Sequence, residues 1–377
     1  MEKVKKNKKS TIFIILLSIV LLLDWQLGNT ARMLLLSLSV FLFIPIRKYF
    51  DKQFYVLLFF TFFYVVTAFF NGFQTSLVGL TYSALPGLAL FLLGSYIGDH
   101  LQEDKIELAI LVVLAASTGY IIFLSLSDFI SSGQIINIGR AIYTDADHEV
   151  VLVGDRSALS VGAIGLPLAL FFKSKYRLPF LIISLLSLFS SIHYLHRTPL
   201  VVCMICFLVT LMYVFRRRNT FVVILTVLLC IVAAYYLGFF DSNDVTSAYS
   251  ERNAEDAGTL GSRLPRWLNA IGNVFIYPFG WYNEKNINTY YVHNMWLDVA
   301  RTVGLLPFVF LTIFTIRCSL ISLKNKKLMI LFLLLDIGYL FSCFVEPVFE
   351  AYPTHAWLYM FYSGMKLYYS KQKALAT

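Results

Sequence analysis

Apolar residues in this chain fall in blocks long enough to cross a bilayer, with polar breaks between them. A helical span needs about 20 mostly apolar residues, somewhat fewer where neighbouring helices shield its ends. Taken between polar breaks, the 377 residues hold twelve candidate spans, at about 11–27, 31–46, 53–70, 77–97, 106–127, 157–172, 178–195, 198–215, 220–240, 294–316, 328–345 and 354–369. Apolar side chains make up 58% of the chain and charged ones 14%, against roughly half and a quarter in soluble domains. The pattern predicts an all-α fold: one polytopic membrane domain over 1–377, a bundle of about twelve transmembrane helices. No internal repeat stands out, which removes one pointer to inverted-repeat transporters. The amino-terminal lysines and the apolar run Thr11–Leu23 have the layout of a signal peptide, but no small-x-small cleavage site follows. The run therefore reads as a retained first span.

Basic residues orient such a bundle, because lysine and arginine gather in cytoplasmic breaks. With the amino terminus inside and alternating spans, only Arg32, Arg140, Arg156, Arg197, Arg252, Arg263, Arg266, Lys285 and Arg301 of the 31 basic residues stand outside. Both termini are then cytoplasmic. The net charge of +9 follows from this bias and calls for no nucleic acid partner. Eight of those nine outside residues are arginines, whereas the inside set is mostly lysine. Lysine suffices for orientation; the guanidinium fork matches phosphate or carboxylate. The bias points to an anionic ligand outside. The alternative is pairing with outside carboxylates, but exposed pairs contribute little and need no arginine.

Two outside loops are long enough to hold a site, about 128–156 and 241–293. In the second, Leu264, Trp267, Leu268, Ile271, Val274 and Phe275 recur at helical spacing, with Arg263, Arg266 and Asn273 opposite. This predicts an amphipathic helix along the membrane surface, with Ser262 as its N-cap and Pro265 in its first turn. Membrane lipids are thus a partner. Its amino end is a candidate anion site, or else an interfacial helix with snorkelling arginines.

His293 follows where the loop meets the tenth span. A histidine there serves either as a structural donor or as a general base near working pH. Asn294 adjoins it, and Asp298 and Arg301 are placed to orient or balance it. Arg197 lies in the tight turn His193-Tyr194-Leu195-His196-Arg197, a costly depth for a charge that meets no anion. Arg140 and Arg156 bracket the first loop, which also holds Asp145-Ala146-Asp147-His148-Glu149. With no matching ligands elsewhere this reads as a solvated acidic loop, and no metal or cofactor is expected. The five cysteines lie in apolar runs; the Cys203/Cys206 pair reads as packing. Asp336 is a carboxylate deep within a span, either paired across helices or part of a proton path.

Four of these features, taken in order, resemble the O-antigen ligase and O-antigen polymerase superfamily. They are the outer-turn His196-Arg197-Thr198, the large loop before the tenth span, Gly261-Ser262-Arg263 leading through Pro278-Phe279-Gly280 to His293-Asn294, and Val303-Gly304-Leu305-Leu306. They cover roughly the second half of the chain; the first half matches only in hydropathy. The resemblance implies a bacterial inner-membrane glycosyltransferase whose donor is a glycan on a polyprenyl diphosphate at the outer face. Arg197 and Arg263 match its diphosphate-binding arginines and His293 its base. Arg266, Arg140 and Arg156 are weaker candidates for the same anion or the acceptor, and His196, Asn294, Asp298 and Arg301 are supporting groups. The acceptor is a second lipid-linked repeat unit for a polymerase, the favoured reading, or lipid A core for a ligase. A chain-length regulator is a partner that no residue identifies. The rival class is a lipid-linked glycan flippase, which would line a midplane cavity with charge.

Overall fold

The computed structural model describes residues 37–42, 44–72, 77–136, 156–171, 175–214, 260–284, 292–321, 323, 325–345 and 353–375. All regular structure among them is helical. The helices are α1 (Lys52–Phe70), α2 (Leu77–His100), α3 (Ile106–Ser132), α4 (Leu159–Ala163), α5 (Gly165–Phe171) and α6 (Arg177–His193). They continue as α7 (Thr198–Val214), α8 (Leu260–Ile276), α9 (Met295–Val303), α10 (Leu305–Ser319), α11 (Lys326–Val345) and α12 (Pro353–Leu375). The expected spans at 11–27, 31–36 of the second and 220–240 lie outside the described residues.

Three stretches, Lys52–Phe70, Glu103–Ser132 and Lys326–Val345, are long and apolar enough to cross a membrane. Helix α6 adds an independent sign of lipid. It turns Ser184, Ser187, Ser190 and Ser191 inward and leaves Leu178, Ile182 and Leu185 exposed. A helix facing water would do the reverse. Helix association among small residues, where backbones approach closely, is the membrane pattern. It recurs between α2 and α12, which run parallel: a Cβ on Gly94 would stand 1.9 Å from the Phe361 carbonyl, one on Gly98 2.3 Å from that of Met365, and one on Gly364 2.2 Å from that of Phe91.

Polar contacts sort the bundle into two ends. At one, Lys48 pairs with Asp99, Lys371 with Asp51, and Lys327 with Glu107 at 2.7 Å. At the other, Asn71 donates to the carbonyls of Phe279 and Thr302, His193 meets Asp128, and Asn294 meets Phe344. Helices α1, α3 and α11 thus run from the Lys327 end to the Asn294 end, and α2 and α12 run back.

Several expectations need correction. The 157–172 span breaks at Ile164 into α4 and α5. Pro167 has no N–H to give the Ala163 carbonyl, and Ser184 Oγ donates to it instead at 2.9 Å. The 294–316 span breaks at Gly304, whose φ is +88°. Helix α3 runs on to Ser132, so Asp128 is a buried helical residue and not the start of a loop. Of the two readings of Asp336, pairing across helices is the one seen: Lys366 Nζ lies 2.6 Å from one carboxylate oxygen, and the Tyr362 hydroxyl donates to the other at 3.0 Å.

Candidate functional site

The site is built where α8, α9 and the last turn of α11 meet. Helix α8 begins at Leu260, so Ser262 lies within it and is not its cap. Its apolar positions divide between two faces. Trp267, Ala270 and Val274 are buried, with Asn273 beside them, while Leu264, Leu268, Ile271 and Phe275 stay exposed. The expected polar position of Asn273 is thus corrected. The side that packs on the protein is the one that carries Arg263, and the exposed leucines form a separate stripe.

Helix α8 leads into a corner at Pro278-Phe279-Gly280 that dovetails with the α9–α10 break. The Leu305 N–H donates to the Pro278 carbonyl at 2.9 Å, and the Trp281 N–H to that of Arg301 at 2.8 Å. A Cβ on Gly304 would stand 2.2 Å from the Pro278 oxygen, so only glycine fits there. Two motifs that read as separate in the sequence are one interlocked joint. Trp267, Ala270, Val274, Trp281, Val292, Leu297 and Ala300 fill a small core of their own beneath it.

His293 sits at the start of α9 with φ +57°, a left-handed conformation uncommon among non-glycine residues. The Asp298 carboxylate explains how it is held. One oxygen accepts from the Val292 N–H at 2.7 Å and the other from the Asn294 N–H at 3.0 Å, bracketing His293 on both sides. Asp298 was expected to orient the imidazole; it fixes the backbone that bears it, and the imidazole also lies within its electrostatic range. Asn294 caps α9 by accepting from the Leu297 N–H at 3.1 Å. Its amide donates to the Phe344 carbonyl at 3.2 Å, and the Arg263 guanidinium donates to the next carbonyl, Val345, at 2.5 Å. The two motif residues therefore converge on adjacent carbonyls in the last described turn of α11.

Searched against models of known families, the chain matches none, and no curated protein matches it in sequence.

Arg301, at the Asn294 end of the bundle, is buried. Its Nε lies 3.7 Å from Asp298 Oδ1, and its guanidinium stands 5.2 Å from the Tyr282 ring centroid. It braces the joint. Arg266 is half-buried, one turn along α8 from Arg263. Arg197 is half-buried and His196 buried on the α6–α7 turn, at the same end of the bundle. Arg140 and the Asp145–Glu149 run lie outside the described residues, as does the side chain of Arg156, which opens a 3-10 turn over Arg156–Ala158. Among the described residues no group of three His, Cys, Asp or Glu side chains stands together to hold a metal ion.

Three features escaped the sequence reading. Trp267 Nε1 donates to the Val292 carbonyl at 2.9 Å, binding α8 to the His293 turn. Asp128 and His193, 3.1 Å apart, pin α3 to α6. Leu195, beside His196 and Arg197, has φ +50°. Non-glycine residues in that region cluster at functional sites, and here Leu195 and His293 mark the two turns with candidate residues. A contact between positions far apart in the chain leaves no local sequence signal.

Proposed function

We propose that the chain is a bacterial inner-membrane glycosyltransferase that polymerises lipid-linked oligosaccharide repeat units. In this reading twelve spans place both termini in the cytoplasm and the Asn294 end outside. The observation that carries it is the meeting of Arg263 and the His293–Asn294 turn on adjacent carbonyls of α11. Arg263 is thereby tied to the same turn of α11 as the His293–Asn294 segment, whose backbone is locked by Asp298.

The chemistry follows from those groups. The acceptor sugar hydroxyl attacks the anomeric carbon of a glycan carried on polyprenyl diphosphate. His293 takes the hydroxyl proton, the new glycosidic bond forms, and the bond to the diphosphate oxygen breaks. Arg263, with Arg197 and Arg266 at the same end, stabilises the departing diphosphate, since pre-placed cations oppose the charge that develops there. Their fixed positive charge does this without a divalent metal.

The test uses the purified full chain in nanodiscs, a polyprenyl diphosphate-linked repeat unit as sole substrate, and EDTA. Lipid-linked ladders that vanish in His293→Ala support a metal-independent polymerase. Glycan appearing only on added lipid A core makes the enzyme a ligase. No product beside an active reference enzyme, with flipping lost in Arg263→Ala, moves the chain to the flippase class.

A further inference from the structure

We propose that Asp128 and His193 are a positioning pair for Arg197, a role that rests on the diphosphate reading of that arginine. His193 is wholly buried and Asp128 nearly so. Both ring nitrogens are engaged: Nδ1 lies 2.8 Å from the Ile135 carbonyl oxygen and Nε2 lies 3.1 Å from Asp128 Oδ2. A carbonyl oxygen can only accept, so Nδ1 donates. The ring is thereby directed at two points, one on the end of α3 and one on the residues that follow it. Phe189 stacks on its face at 5.9 Å and Tyr194 meets it edge-on at 4.8 Å.

The pair does not act alone. One turn earlier on both helices, Ser125 and Ser190 join their hydroxyls, so the ends of α3 and α6 are pinned twice. From His193 the chain reaches Arg197 through a turn whose successive links are bonded. The Tyr194 N–H donates to the Ser190 carbonyl at 3.1 Å, Leu195 to Ile192 at 3.0 Å, and His196 to Ser191 at 2.7 Å. Ser191 Oγ returns a bond to the His196 carbonyl. The Arg197 carbonyl then accepts from Leu200 at 3.0 Å as α7 begins. Leu195 keeps its left-handed backbone only because this network over-determines it. An apolar side chain would fill the place of His193 at lower cost in desolvation. The polar pair instead supplies direction, setting the point from which the guanidinium extends and sparing the ordering that anion binding would otherwise require.

A double-mutant cycle separates positioning from general stability, because residues acting through one another are non-additive. Undecaprenyl diphosphate is titrated into the full chain in nanodiscs, and affinity is read for His193→Leu, Arg197→Ala and the double variant. Each single change is expected to weaken binding roughly 10- to 100-fold, and the double variant to bind no worse than Arg197→Ala. Asp128→Asn is expected to stay within about twofold, since its amide can donate to Nε2 of a neutral ring that still donates through Nδ1. His193→Gln runs in the same cycle, so the test stands where the leucine variant is not recovered folded. Losses that multiply in the double variant overturn the positioning role. An unchanged affinity in Arg197→Ala overturns instead the diphosphate reading on which it rests.

Discussion

The indole N–H of Trp267 donates to the carbonyl of Val292 at 2.9 Å, fastening α8 to the residue immediately before His293. The same ring meets Phe344 edge-on at 4.8 Å, so one side chain ties together the three segments that form the site. Trp267→Phe keeps the ring contact and orphans the carbonyl, at an expected cost of about 1–3 kcal/mol. Trp267→Ala should cost about 3–5 kcal/mol. Thermal unfolding of the purified variants ranks them, and transfer should fall in the same order. A phenylalanine variant equal to wild type in both would show that this bond does not hold the turn.

His293 offers a separation of fold from chemistry. Its φ of +57° suits glycine better than any side chain with a Cβ. His293→Gly should therefore melt at or above the wild-type temperature, by up to about 1 kcal/mol in stability, while product ladders disappear. His293→Val should lose both. Transfer surviving in the glycine variant would remove the imidazole from the mechanism.

Gly304 and Gly272 should respond in opposite senses to the same methyl group. At Gly304 a Cβ stands 2.2 Å from the Pro278 oxygen on a backbone with φ +88°, whereas at Gly272 nothing lies within 4 Å. Gly304→Ala is expected to destabilise by about 1–3 kcal/mol. Gly272→Ala, in an exposed part of α8, is expected to stabilise by about 0.5–1 kcal/mol. Paired melting curves check both signs in one experiment.

The Asp336–Lys366 pair predicts a third pattern. Removing either partner leaves a buried charge alone, at about 3–5 kcal/mol, whereas replacing both with apolar residues of similar size is often neutral. Asp336→Leu with Lys366→Met should therefore recover the melting temperature that each single variant loses. It should also retain transfer, because the pair lies well inside the bundle and away from the His293 turn. A double variant that folds but is inactive would assign the pair to a proton path.

The sequence carried the helices and misplaced their interruptions, for a physical reason. Apolar content reports that a segment can be buried, but the direction of its backbone at Gly304 is decided by the Pro278 corner, and at Ile164 by a serine on another helix. The wheel of α8 gathered its apolar residues into one face. Partners beneath Trp267 and Val274 divide that face in two, and partners are a tertiary property. Arg263, His293 and Asn294 were legible because their residue types and order carry chemistry. The manner in which Asp298 supports them was not, because it acts through two backbone N–H groups. The burial of Arg301 against Tyr282 was not legible either, because the joint that covers it is a tertiary property.

The seam between α2 and α12 sets an order of events in biogenesis. Gly94 and Gly98 are synthesised early, and the backbone they are shaped to receive, at Phe361 and Met365, leaves the ribosome only after the other described helices. Until then α2 presents a groove without its occupant. The seam can close only when α12 slides in beside α2. Mutations in that seam should therefore act on maturation, lowering the yield of inserted protein, before they act on anything the finished molecule does.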